Sequence, residues 1–133
     1  MKRLIYISLL AAALIPAANA SQVAVENWYM GDSNCTIDGR PARMNWKVVS
    51  EWVGSCSGDI CSGYESAKLV GKFSDNGGAW VPLARTSSSH NALNIRYLGA
   101  EPDNWMLQYN PRLRRAIGWT TWHGNHYPLV CWK

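Results

Sequence analysis

Four cysteines, Cys35, Cys56, Cys61 and Cys131, are the residues whose chemistry is easiest to bound. An even count predicts two disulfides once the chain reaches an oxidising compartment. The favoured pairing is Cys56–Cys61 with Cys35–Cys131. Ser-Gly-Asp-Ile between Cys56 and Cys61 is rich in turn residues, so a local clasp can close there. Cys35 and Cys131 stand near the two ends of the domain, where a bridge would tie first strand to last. Cys35–Cys56 with Cys61–Cys131 is the alternative pairing. On the chain-entropy view a short loop contributes about 2 kcal/mol and a long one about 5. No His pair stands at finger spacing from Cys56 and Cys61, which argues against zinc. Gly54-Ser55-Cys56-Ser57-Gly58 has the outline of a nucleophile elbow, but an elbow needs a following helix, and none is read there.

The other reactive types are sparse. His123 and His126 flank a Gly-Asn turn and His90 lies in a Ser-rich stretch. Two histidines on a hairpin can share a metal with a carboxylate, but nothing marks a third ligand. Asp59 with Glu65, and Glu101 with Asp103, are available as acid pairs for glycoside hydrolysis. All four stand in polar turn contexts that solvation explains. The expectation is therefore a protein that is not an enzyme, with no metal and no cofactor.

Tryptophan carries the best functional signal. Eight Trp stand against a single Phe, and each combines a wide apolar plate with a polar N–H. Trp46, Trp52, Trp80, Trp105, Trp119 and Trp122 fall on four predicted strands, Trp46 with Trp52 on one and Trp119 with Trp122 on another. If their faces agree, they line one interior or one mouth, as aromatic walls do in ligand-holding barrels. Arg43 and Arg96 would add a charged contact. The plainer reading is a core filled by aromatic plates. Arg112, Arg114 and Arg115 form one local basic cluster, suited to a solvated loop or to an anionic partner.

The elements that must position these residues read as strands. Over 43–53, Met44, Trp46, Val48 and Trp52 share one face, with Ser50 the exception, and Arg43, Asn45, Lys47 and Glu51 share the other. That is the period of two of a half-buried strand. Leu93, Ile95 and Tyr97 alternate with Asn94 and Arg96 in the same way. Further strands are predicted at 27–31, 64–73, 80–85, 105–109, 116–122 and 127–132. Gly, Asn, Asp and Pro cluster between them, with Asn76-Gly77 the strongest hairpin signal. About eight antiparallel strands joined by short turns predict an all-β, up-and-down barrel, because closure removes exposed edges. A β-sandwich is the alternative.

Residues 1–20 read as a signal peptide. Lys2 and Arg3 precede an apolar run, and Ala18-Asn19-Ala20 supplies the cleavage pattern. The run is about a dozen residues, short of the roughly 20 that a helical span needs. Cleavage after Ala20 leaves a single β domain, 21–133, in the periplasm or beyond. It also removes two positive charges from the net +4, leaving 11 basic and 9 acidic residues. A net charge of +2 gives no footprint for nucleic acid. The partners the composition admits are a small apolar or sugar ligand, or an envelope protein.

Three stretches carry resemblances. Asn27-Trp28-Tyr29 resembles the Trp-Tyr start of lipocalin-type barrels. Ala116-Ile117-Gly118-Trp119-Thr120-Thr121-Trp122-His123-Gly124 is similar to the Gly-Trp-Thr and Thr-Thr-Trp-x-Gly strands of avidin-like proteins. Both imply a barrel and no particular ligand. The stretch from Phe73 through Asn76-Gly77-Gly78-Ala79-Trp80 to Leu83, with the Cys131-Trp132 close, resembles an uncharacterised family of small exported bacterial proteins. That resemblance spans the mature chain and implies no activity. The chain is also comparable to exported lysozyme or protease inhibitors, disulfide-bonded β barrels that insert a loop into an enzyme cleft. Loops 75–78 and 56–61 would serve here, although the mildly basic charge differs from the acidic character such inhibitors tend to have.

Overall fold

The computed structural model describes residues 23–133. The expected signal peptide, 1–20, lies outside them. Eight strands follow in chain order: β1 (Gly31–Ile37), β2 (Arg40–Ser57), β3 (Ile60–Asp75), β4 (Val81–Ser88), β5 (Ala92–Tyr97), β6 (Asp103–Asn110), β7 (Arg115–Trp122) and β8 (Asn125–Trp132). They form one antiparallel sheet in which β1 returns to pair with β8, so the sheet closes as a barrel. The up-and-down barrel expected from the alternating pattern is the architecture found, and the sandwich is not.

Turn chemistry sets much of the register. Ile37 pairs with Arg40, and Trp122 with Asn125, so Asp38-Gly39 and His123-Gly124 are two-residue loops. Their φ values are 49°, 83°, 49° and 82°. Two consecutive positive φ values match the right-handed twist of the flanking strands, and a Gly in second place takes one of them without strain.

The chain divides into two compact units. The first, Val25–Val49 with Leu69–Lys133, has its core inside the barrel. Met44, Trp46, Leu93, Ile95, Leu107 and Leu129 are fully buried and fill its middle. Cys35 and Cys131 are direct cross-strand partners, and their disulfide closes the β1–β8 seam from within. Trp46 lies flat against β3 because residue 71 is glycine: a Cβ there would come within 2.6 Å of the indole Cε3. The buried indole N–H of Trp46 has no hydrogen-bond partner among the described residues. Such an orphan donor costs on the order of 1–3 kcal/mol, set against the large apolar area the ring buries.

The strand expected at 27–31 is instead a turn that precedes β1. Tyr29 is buried and packs edge-on to Trp46, at 6.2 Å between ring centroids. Its hydroxyl accepts a hydrogen bond from Arg85 Nη1 at 2.7 Å. Trp28 stacks on Tyr109 at 5.2 Å and donates its indole N–H to the His90 carbonyl at 3.0 Å. A turn lets neighbouring rings reach different partners, whereas a strand would send them to opposite faces.

The second unit contains Ser50–Lys68, a two-stranded ribbon made by the continuations of β2 and β3. It turns at Gly58-Asp59 and is clasped by the Cys56–Cys61 disulfide. Both favoured disulfides are thus present, and no cysteine is free among the described residues. Gly54 and Gly63 lie against each other, and the Trp52 ring covers both: a Cβ on either would come within 2.6 Å of the indole. The apolar face read over 43–53 ends at Trp46. Val48 is exposed, and Trp52 is 50% exposed. Period two marks a strand with two unlike faces; it does not say that the apolar face is covered.

Candidate functional site

The connections β1–β2, β3–β4, β5–β6 and β7–β8 gather at one end of the barrel, where they surround an open cleft of about 670 Å³. Its floor is Trp105, one pleat below the start of β6 and only 4% exposed. Tyr97, from the end of β5, stacks on Trp105 at 4.8 Å with 18° between planes. Phe73 meets the same indole edge-on at 4.9 Å. The rim adds Tyr127 and Trp122, the latter 48% exposed and set against the His123 ring at 4.4 Å. Trp122 has the same strand phase as buried Ala116 and Thr120, which aims it toward the barrel end.

Charge in the cleft is unevenly divided. Asp38, Asp75 and Asp103 face one cation, Arg40. Arg40 grips both carboxylate oxygens of Asp75, Nη2 to Oδ2 at 2.8 Å and Nε to Oδ1 at 3.1 Å. Asp38 is a further 3.9 Å ion-pair neighbour. Hydrogen bonding and charge from Asp75 raise the guanidinium pKa above its ordinary value, so Arg40 stays charged and committed. Asp103 pairs with Tyr97 across β5 and β6, is half-buried, and has no side-chain partner among the described residues. Burial, and then the charge of Asp75, raise the Tyr97 pKa above its usual 10.0. The phenol is therefore held neutral in a negative field.

A family of unknown function, DUF6006, matches the chain over residues 1–133. The chain belongs to that family. No curated protein and no solved structure matches it significantly. What this DUF6006 chain can do chemically therefore rests on its own geometry.

The six tryptophans singled out from the sequence do not converge. Trp105 and Trp122 line the cleft. Trp46 belongs to the buried core, and Trp52 to the ribbon. Trp80 precedes β4, is exposed, and lies under the Lys72 ammonium at 4.5 Å from its centroid. Trp119 stacks on His126 at 4.5 Å, out of phase with the inward residues of β7. Arg43 is exposed, and Arg96 donates to Asn104 at 3.0 Å, so neither enters the cleft. Of the histidine pair, His123 lies 3.3 Å from Glu101 while His126 is spent on Trp119. Sequence reasoning missed Asp38, Arg40 and Asp75 because each stands in or directly beside a turn, where turn formation already accounts for it.

The opposite end of this unit holds a smaller cavity of about 240 Å³, bounded by Trp28, Tyr29 and the chain end at Trp132-Lys133. Lys133 donates through Nζ to the Met30 carbonyl, and burial lowers its pKa. Of the basic cluster, Arg114 lines this cavity and Arg115 lies over the Trp132 ring at 5.0 Å.

Proposed function

We propose that this chain is an exported, non-enzymatic binding domain of the bacterial cell envelope that holds a small ligand in the barrel-end cleft. The observation that carries the reading is the cleft itself, a concavity of about 670 Å³ floored by Trp105 and Tyr97 and rimmed by Trp122 and Tyr127. That combination of size, aromatic wall and a few polar groups is typical of small-molecule sites. Its polar lining includes three Asp, Arg40, Thr120, Thr121 and two Tyr hydroxyls. Two of its three carboxylates are engaged with Arg40. Export is supported by the charged, apolar and small-residue pattern of residues 1–20 and by two disulfides, which persist in oxidising compartments. Tryptophan fluorescence tests the binding reading, because Trp105 and Trp122 report from the cleft. A panel of sugars, apolar compounds and small ions should yield a saturable change that Trp122→Phe alters. A panel with no response rejects the reading.

A second reading rests on the ribbon. Trp52, pinned over two glycines and half exposed on a disulfide-clasped hairpin, is a preorganised aromatic anchor of the kind that dominates protein interfaces. It supports an interaction or inhibitor protein acting through residues 50–68. A photo-crosslinker at Ile60 should capture one defined protein, and Trp52→Ala should abolish that capture. Capture unaffected by Trp52→Ala would reject a Trp52 anchor.

A further inference from the structure

The charges of the cleft narrow the class of ligand beyond the proposed binding role, on which this inference rests. Three carboxylates and one guanidinium line it. The guanidinium is bound in a two-point grip by Asp75 and has Asp38 as its next neighbour, so its charge is already compensated. The remaining carboxylate, Asp103, is half-buried at the first position of β6, without a side-chain partner among the described residues, two residues before Trp105. A carboxylate partly withdrawn from water and left unpaired favours a cation beside it. Aromatic faces act in the same direction. The π-faces of Trp and Tyr are negative, and they attract organic cations while remaining compatible with apolar groups. Trp122 and Tyr127 line the rim, and Trp122 is held against His123.

We infer that the cleft binds an organic cation, an alkylammonium or quaternary ammonium group, between the Asp103 carboxylate and the Trp122 and Tyr127 rings. The cation compensates the unpaired carboxylate, while the carbon substituents lie on the aromatic walls. An anionic ligand would meet the Asp carboxylates without a free counter-charge. A neutral ligand of the same shape would keep the aromatic contacts and leave Asp103 unpaired.

The test uses choline and two compounds of the same outline on the disulfide-intact protein. One is its uncharged isostere, with a tert-butyl group in place of trimethylammonium. The other is the tert-butyl carboxylate. Titration calorimetry and Trp fluorescence should show choline binding at least about tenfold more tightly than the neutral isostere, with no binding of the carboxylate. Added salt should weaken the choline complex. Asp103→Asn keeps the shape and removes the charge, so it should erase most of the difference between choline and its isostere. A thermal melt matching wild type separates that result from misfolding, and Trp122→Leu, at an exposed rim position, gives a second variant that should weaken both compounds. Equal binding of choline and the neutral isostere would overturn the cation inference and leave the binding role standing. Preferred binding of the carboxylate would overturn it too. Failure of these probes together with the wider panel would overturn both.

Discussion

At the scale of single residues, Gly71 controls how the largest core ring is seated. The plane of Trp46 occupies the space where a side chain at position 71 would begin, with the indole Cδ2 only 2.8 Å from that point. Gly71→Ala should destabilise the folded chain by about 1–3 kcal/mol, the usual range for overpacking a core. Urea denaturation should show a lower midpoint with an unchanged slope, and an unchanged midpoint would mean that the ring slides away freely. Tyr97 supports a second prediction. Its folded-state pKa is raised above that of the unfolded chain, so the native state favours the neutral phenol. The stability this contributes is fully present below the unfolded value and is lost as pH rises through the folded one. The melting temperature should therefore fall as pH climbs above about 10, and Tyr97→Phe should remove part of that fall. Asp75→Asn should move the Tyr97 titration back toward the ordinary value, read as phenolate absorbance against the Tyr97→Phe background.

At the scale of elements, the ribbon is the part least able to hold itself. A two-stranded hairpin is at best marginally stable alone, so the contacts within Ser50–Lys68 matter to it. Those include the Cys56–Cys61 clasp, the Ser50 hydroxyl on Glu65 at 2.5 Å, the Lys68–Glu51 pair at 3.8 Å, and Trp52 over its glycines. The ion pair is exposed on both sides and contributes little. Trp52→Ala should therefore loosen the ribbon while the barrel keeps its structure. Amide exchange should accelerate within 50–68 and remain slow at core positions such as Leu93 and Leu129. Uniform acceleration across both units would show that Trp52 supports the whole chain instead. These strands were readable from the alternation of Met44, Trp46, Val48 and Trp52. The point at which that face loses its cover, after Trp46, was not, because nothing local separates a covered tryptophan from an uncovered one.

At the scale of the whole molecule, seven of the eight strands were legible from period-two patterning and turn residues, whereas β1 was placed too early, at 27–31; the two disulfides followed from cysteine count and placement. The cleft was legible only in outline. Trp105 and Trp122 were candidates by residue type, yet Trp46 and Trp119 looked equally suitable, since the face each presents depends on closure of the sheet. The Arg40–Asp75 grip joins residues 35 positions apart and leaves no mark on either neighbourhood. The two bridges also predict unequal effects on global stability. On the chain-entropy view, loss of Cys35–Cys131 should cost about 5 kcal/mol and loss of Cys56–Cys61 about 2. Paired Cys→Ala variants compared by denaturant titration check the order, and a larger loss from the short loop would contradict it. Intact mass should show four alkylatable thiols only after reduction, since all four cysteines are bridged.

The seam disulfide has one more consequence. Because Cys35 in β1 and Cys131 in β8 enclose every turn from Asp38-Gly39 to His123-Gly124, the polypeptide between them is a covalent ring. A protease that cuts once in any of those turns opens the ring and releases nothing. Both fragments remain tethered beside the strands they were paired with, so a nicked molecule is still one molecule with its pairing partners at hand. The Gly58-Asp59 turn is enclosed twice, once by each bridge. A singly clipped chain should migrate as intact protein without reductant and as two pieces with it.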